Sequence, residues 1–99
     1  MFLHAVYFWL KDDLTTAQRA DFARGVHTLP AIPVVSRAHI GEPAATNRPV
    51  IDSSYSYALV LEFADQAAQD SYQEHPVHLQ FVQDCHEYWT RVQIYDSVG

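Results

Sequence analysis

Apolar and polar positions along the chain switch period several times, and each switch predicts an element. Residues 2–10 alternate with a period of two, placing Phe2, His4, Val6 and Phe8 on one face and Leu3, Ala5, Tyr7 and Trp9 on the other. Both faces are largely apolar, which predicts a strand covered on both sides. Thr15-Thr16-Ala17-Gln18 has the spacing of a capping box, and Phe22, Val26 and Leu29 follow at helical intervals. The spacing predicts a helix to about residue 28, weakened slightly by Gly25 and ended by Pro30 and Pro33. A second strand is expected over 34–41, a loop over 42–53, and a third strand over 54–63, with Tyr55, Tyr57, Leu59, Leu61 and Phe63 on one face. Asp65 caps a short helix to about residue 73. Pro76 then fits the first turn of another, running to about Trp89 with His75 on its cap side. A last strand spans 90–97.

The order β-α-β-β-α-β implies an α+β domain of the ferredoxin-like, split βαβ kind, with a four-stranded antiparallel sheet. Both helices of that arrangement pack on one sheet face. The other face, lined here by apolar and aromatic groups, needs a cover, and a second copy of the same sheet is the simplest one. A homodimer through the sheet face is therefore expected.

Composition narrows the reading. The 99 residues form one domain, 1–99, which buries about 65% of its extended surface. With 48% hydrophobic and 18% charged residues, disorder is excluded. The net charge of −6 and the lack of a Lys/Arg cluster argue against nucleic acid and anionic membrane as partners. A single cysteine, Cys85, fits a reducing compartment. The apolar start has no basic leader and is too short to span a bilayer, so a cytoplasmic protein is expected. Scattered glycines at 25, 41 and 99 make no phosphate loop, and no cofactor is expected.

Four sets of residues invite chemistry. Tyr72 follows Ala68 by four residues on an inward stripe, and His78 precedes Val82, Cys85 and Trp89 at spacings of four, three and four. His78 thus faces inward in the first turn of its helix, where the positive end of the helix dipole keeps imidazole neutral. A neutral imidazole beside a tyrosine hydroxyl suits proton abstraction next to a carbonyl. Equally, His75 can cap a helix and His78 can be a hydrogen-bonded structural histidine. The second set, His75, His78, Cys85 and His86, lacks metal-ligand spacing, and no metal is expected. His4 shares an apolar strand face and matters only if that face looks toward His78. Cys85, in mid-helix without a basic neighbour, reads as a small core residue.

Taken in order, His4-x-Val6-x-Phe8-x-x-Lys11, Leu29-x-x-Ile32-Pro33, Gly41, Tyr72-x-x-His75-Pro76-x-His78-x-x-Phe81-Val82 and Val92-x-Ile94-x-Asp96 resemble the stress-responsive A/B barrel (Dabb) family over nearly the whole chain. The Tyr-x-x-His-Pro-x-His stretch is the specific part. The resemblance implies a homodimer in which two ferredoxin-like sheets close a barrel with helices outside. Most members have no assigned reaction. A plant branch of polyketide cyclases, typified by olivetolic acid cyclase, performs an intramolecular aldol condensation. By that resemblance Tyr72 and His78 are the acid–base pair and His4 is the family's first-strand histidine. Where that branch has a third-strand histidine, this chain has Tyr57. The expectation is a small apolar or carbonyl ligand in a pocket with His78 and Tyr72 as catalytic groups and His4, Tyr57, His75 and Phe81 as its walls. The alternative is a non-catalytic stress-responsive dimer in which the His/Tyr motif is structural.

Overall fold

The structure, a computed structural model, describes residues 1–99. Strand β1 (Phe2–Leu10) leads through helix α1 (Thr16–Val26) and a 3₁₀ turn (Leu29–Ala31) to β2 (Arg37–Gly41) and β3 (Tyr57–Phe63). Helices α2 (Gln66–Glu74) and α3 (Pro76–Cys85), a 3₁₀ turn (His86–Tyr88) and β4 (Trp89–Val98) complete the chain. The strands lie in the order β2-β3-β1-β4, antiparallel throughout. This is the ferredoxin-like α+β fold.

β1 sits at the centre, and its alternation organises both layers. Phe2, His4, Val6, Phe8 and Leu10 are buried beneath the helices, while Leu3, Ala5, Tyr7 and Trp9 are half-buried on the other face. The register carries this division across the sheet, pairing His4 with Leu61 and Asp96, and Val6 with Leu59 and Ile94. The helix-side core centres on rings: Phe8 packs on Phe22 and Trp89, each 5.2 Å away, and Phe22 on Phe81 at 6.1 Å. Such pairs each add about 0.5–1.5 kcal/mol beyond simple burial. The opposite face carries Tyr7, Trp9 and Tyr95, with the Arg91 guanidinium 4.2 Å above the Trp9 ring.

Local signals behave as their chemistry predicts. Thr15 and Gln18 form the reciprocal capping box of α1. Asp65 accepts the Ala68 N–H and starts α2. Three boundaries differ from the periodicity. β2 starts at Arg37 rather than residue 34, because Pro33 takes the second place of a turn closed by the Val35 N–H on the Ile32 carbonyl (3.0 Å). β3 starts at Tyr57 rather than residue 54, because Ser54 and Ser56 bind the end of β1. The Trp9 indole donates to the Ser54 hydroxyl and the Leu10 N–H to that of Ser56. Tyr55, outside the ladder, therefore crosses to the open face, its ring 5.0 Å from that of Tyr7. The last helix ends at Cys85, and Trp89 opens β4 instead of closing the helix.

Gly25 has a function that helix propensity does not reveal. A β-carbon there would lie 2.7 Å from Cys85 Sγ and 3.2 Å from Phe81 Cδ1, so the missing side chain is what lets α1 touch α3. Gly25→Ala should gain about 0.5–1 kcal/mol of helix propensity but lose about 1–3 kcal/mol to overpacking. We expect a net loss of about 1 kcal/mol, read as a fall in Tm of about 4–8 °C. In a Cys85→Ala background the same substitution should cost less. Equal costs in both backgrounds would show that the α1–α3 contact is not the reason for the glycine.

Candidate active site

The site is assembled where α2 breaks into α3 above β1 and β4. In an unbroken helix the Val77 N–H would bond the Gln73 carbonyl. Pro76 pushes His75 to an extended conformation (φ −66°, ψ 138°), and the Val77 N–H turns instead to His75 Nδ1 at 3.1 Å. The Gln73 carbonyl is thereby released, and His78 Nδ1–H donates to it at 3.0 Å. This bond selects the tautomer: Nδ1 carries the proton and Nε2 holds the free lone pair.

The half-buried His78 ring stacks at 4.8 Å from that of Tyr72. Tyr72 is 1% exposed. Its ring lies 6.0 Å from that of His4. His4 is itself buried, and its Nδ1–H donates to Asp96 Oδ1 at 2.5 Å. The His78 pKa is lowered from 6.5, first by burial and further by the proximity of His4, against an opposing pull from the Gln73 carbonyl. The neutrality expected from the helix dipole is thus present, with loss of solvent as its main cause. Burial also raises the Tyr72 pKa well above the ordinary phenol range, so its hydroxyl stays protonated and can donate.

These groups meet in one cavity of about 220 Å³. His4, Tyr72, Gln73 and His78 supply its polar side. Val6, Phe8, Leu29, Leu59, Phe81, Val82, Trp89, Val92 and Ile94 supply the rest. Of the residues singled out from sequence, the fold brings together His78, Tyr72, His4 and Phe81. Two stand apart. Tyr57 packs against Phe22, 5.3 Å between rings, because the β3 register places it beside Phe8 toward α1, and Leu59 takes the wall position instead. His75 is held as the cap of α3. Asp96 was not singled out as a site residue. An acid two positions beyond Ile94 on the inward face of an alternating strand was its available signal, but only the β1–β4 register opposes it to His4.

The remaining candidates do not form centres. No three of the His, Cys, Asp and Glu side chains converge in a geometry that would hold a metal ion. His86 Nδ1 bonds back to the Val82 carbonyl. Cys85 lines the base of an open groove between α1 and α3, where burial first, then Asp84 and Asp21, push its thiol up to about 11. The thiol is therefore protonated at neutral pH.

With this geometry in view, the comparisons with known proteins are specific about the family. The sequence matches the family described as Stress responsive A/B Barrel Domain across residues 2–98. The chain belongs to that family. A Dabb family protein with a ferredoxin-like fold from Mesorhizobium loti is similar at 30% identity and a TM-score of 0.79, over 99% of this chain and 95% of that one. A dimeric ferredoxin-like protein of unknown function from Thermobifida fusca shares 20% identity, with a TM-score of 0.77 over 97% of this chain and 88% of that one. The hydroxynitrile lyase of Passiflora edulis shares 17% identity, with a TM-score of 0.78 over 97% of this chain and 90% of that one. At these last two identities the likeness concerns the fold. No curated protein matches the chain. No helix in the structure is long and apolar enough to cross a membrane.

The lowered His78 pKa makes a statement about stability. Above the unfolded value of 6.5, His78 is neutral in both states and its burial costs no charge. Below it, the unfolded chain takes the proton first, so this contribution is lost as pH falls through the lower folded value. Urea unfolding of wild type should therefore lose stability on acidification below about pH 6.5. His78→Asn should show a shallower loss over the same range. Identical acid limbs would show that the imidazole is not held neutral by the fold.

Proposed function

We propose that this chain binds a small carbonyl compound in the His78 cavity and moves a proton on the carbon beside that carbonyl. One observation carries the reading: a protonated Tyr72 hydroxyl and a neutral His78 with a free Nε2 border the same small, mainly apolar cavity. In the proposed step His78 Nε2 takes the α-proton. The C–H electron pair moves into the C–C bond, and the carbonyl π pair moves onto oxygen. Tyr72 donates a hydrogen bond to that oxygen, where the apolar walls strengthen the bond by excluding water. Return of the proton to the opposite face of that carbon, or to a carbon conjugated with it, completes an isomerisation; attack of the enolate carbon on a second carbonyl breaks that carbonyl's π bond, and the proton held on His78 passes to the new alkoxide to complete a cyclisation. Retro-aldol cleavage is the same chemistry reversed. Asp96 orients His4, which faces the cavity from β1 as a second polar group. Tyr57, standing where the polyketide cyclases have a histidine and packed away from the cavity, supports a substrate different from theirs.

Simple ketones suffice for the test, whatever the natural substrate. In heavy water they should exchange their α-protons, followed by NMR, faster with the protein than in buffer. Tyr72→Phe and His78→Asn should each lower that rate by about 10²–10⁴-fold. Wild type no faster than buffer over a panel of ketones and 1,3-diketones would overturn the reading. A second reading rests on a specific observation: both motif histidines stitch the α2–α3 junction, His75 to Val77 and His78 to Gln73. On that reading the chain is a non-catalytic stress-responsive dimer. His78→Asn would then cost about 1–3 kcal/mol of stability with no exchange to lose.

We propose further that the chain is a homodimer through the open sheet face. Leu3, Ala5, Tyr7, Trp9 and Val60 lie half-buried there without a covering layer, and Tyr95 is 63% exposed. Tyr, Trp and Arg are the residue types that anchor protein interfaces, and solved relatives of this fold are described as dimeric. Sedimentation equilibrium at micromolar concentration should give twice the chain mass. Leu3→Glu should shift the chain toward monomer and lower its unfolding midpoint, because the interface is also core. A wild-type chain at monomer mass would refute the dimer.

A further inference from the structure

A separate cavity lies on the helix side of the molecule. It is an open groove of about 960 Å³ between α1 and α3, within the usual size range of small-molecule pockets. The two helices run antiparallel along it: Asp21 stands by Tyr88, and Gly25 by Phe81 and Cys85. Its floor is the bare backbone of Gly25 with the buried Phe81 ring and Cys85 sulfur. The two ends differ in chemistry. At one end Ala31, Pro76 and Val77 offer apolar surface. At the other, Asp21, Asp84 and Tyr88 border the groove. The Tyr88 hydroxyl donates toward Asp21 Oδ2 at 3.4 Å, and the Gln80 amide donates to Asp84 Oδ1 at 2.8 Å. Arg24 pairs with Asp21, whereas no cation pairs with Asp84, so this end keeps a net negative charge. The carboxylates act on the floor as well: the Cys85 thiol is held up first by burial and then by Asp84 and Asp21. The proposed dimer uses the other side of the sheet and leaves the groove open. Phe81 is the only side chain that lines both this groove and the His78 cavity.

We propose that the α1–α3 groove is a second binding site, for a small organic amine: its ammonium lies between Asp21 and Asp84, and its apolar body crosses Phe81 and Cys85 toward Val77. Charge complementarity selects this occupant. An ammonium carries three donors and no acceptor, which suits two carboxylates. The Tyr88 ring beside them adds attraction for a cation over its face. An anion would meet Asp84 unneutralised, and the net charge of −6 repels anions and draws cations from a distance. The floor sets the size of the body. From Asp21 to Thr28 the helix rises about 10 Å, which is room for a phenyl ring on a short alkyl chain. The site does not depend on the carbonyl reading of the His78 cavity, and either can stand without the other.

Calorimetric titration of the intact chain with phenethylamine, a cation at neutral pH, and with its uncharged counterpart 2-phenylethanol tests this. The amine should bind about fivefold or more tightly than the alcohol, and added salt should narrow the difference. Amide shifts followed by NMR during the titration should centre on Gly25, Thr28, Gln80 and Asp84. Asp84→Asn keeps an acceptor for the Gln80 amide and removes the charge. It should weaken the amine about fivefold and leave the alcohol unchanged. Arg24→Gln removes the cation at the rim and should strengthen the amine by a similar factor. Both side chains are exposed, so the fold should tolerate either change. Equal affinity for amine and alcohol overturns the proposal, as does no amine binding at about 10 mM or an amine affinity that neither substitution alters. Amide shifts centred on the His78 cavity overturn it too. A groove that takes a lysine-containing peptide and not the free amine belongs to a protein partner, which also overturns it.

Discussion

The break between α2 and α3 is the constraint on which the site depends. Proline has no N–H to give and excludes the helical conformation from the residue before it. At His75–Pro76 these two effects end one helix and begin another. They also leave the Gln73 carbonyl without its helical donor, and the His78 imidazole fills that vacancy. A backbone defect is thereby converted into a side-chain orientation. The proton on Nδ1, the lone pair on Nε2 and the placement of the ring against Tyr72 all follow from one amide hydrogen, that of Val77, turned aside to His75 Nδ1.

The surroundings then decide what that geometry can do. Phe8, Phe81 and Trp89 exclude solvent from one side of the cavity, which favours neutral imidazole and protonated phenol together. A base and a hydrogen-bond donor can coexist at neutral pH because the same low polarity that holds a proton on Tyr72 keeps a second one off His78. His4 strengthens the effect, since two cationic rings in one small space would repel each other. Its bond to Asp96 reaches from the buried interior to a carboxylate whose side chain is 43% exposed, linking the cavity to the solvent edge of β4.

The two faces of β1 look toward different surroundings. His4, Val6 and Phe8 look into the cavity, while Leu3, Tyr7 and Trp9 look toward the surface proposed for a second copy. The proposed chemistry and the proposed association are thus separated by the thickness of a single sheet. Association through the open face would brace β1 from behind without entering the cavity.

Much of this is legible in the residues. Period-two alternation locates β1 and the inner part of β3, the Thr15–Gln18 box and Asp65 locate two helix starts, and Pro76 locates the third. The stripe spacings are enough to place Tyr72, His78 and Cys85 inward, although Val82 of the same stripe is 37% exposed and Trp89 lies in β4. These features are local, because a cap, a proline or an alternating strand acts within a few residues of itself. The start of β3 is not legible, since Ser54 and Ser56 are claimed by the end of β1, some 45 residues away in the chain. Tyr57 and Leu59 share one face by alternation, and only the register beside β1 decides that Leu59 rather than Tyr57 walls the cavity. Asp96 meets His4 across 92 residues. The purpose of Gly25 lies in a sulfur atom on another helix. The sequence by itself determined the elements, their inward faces and the Tyr72–His78 pair, because short-range sterics and hydrogen bonding decide these. Only tertiary structure decided which inward residues share a cavity, because strand register and helix approach are set by contacts between distant segments.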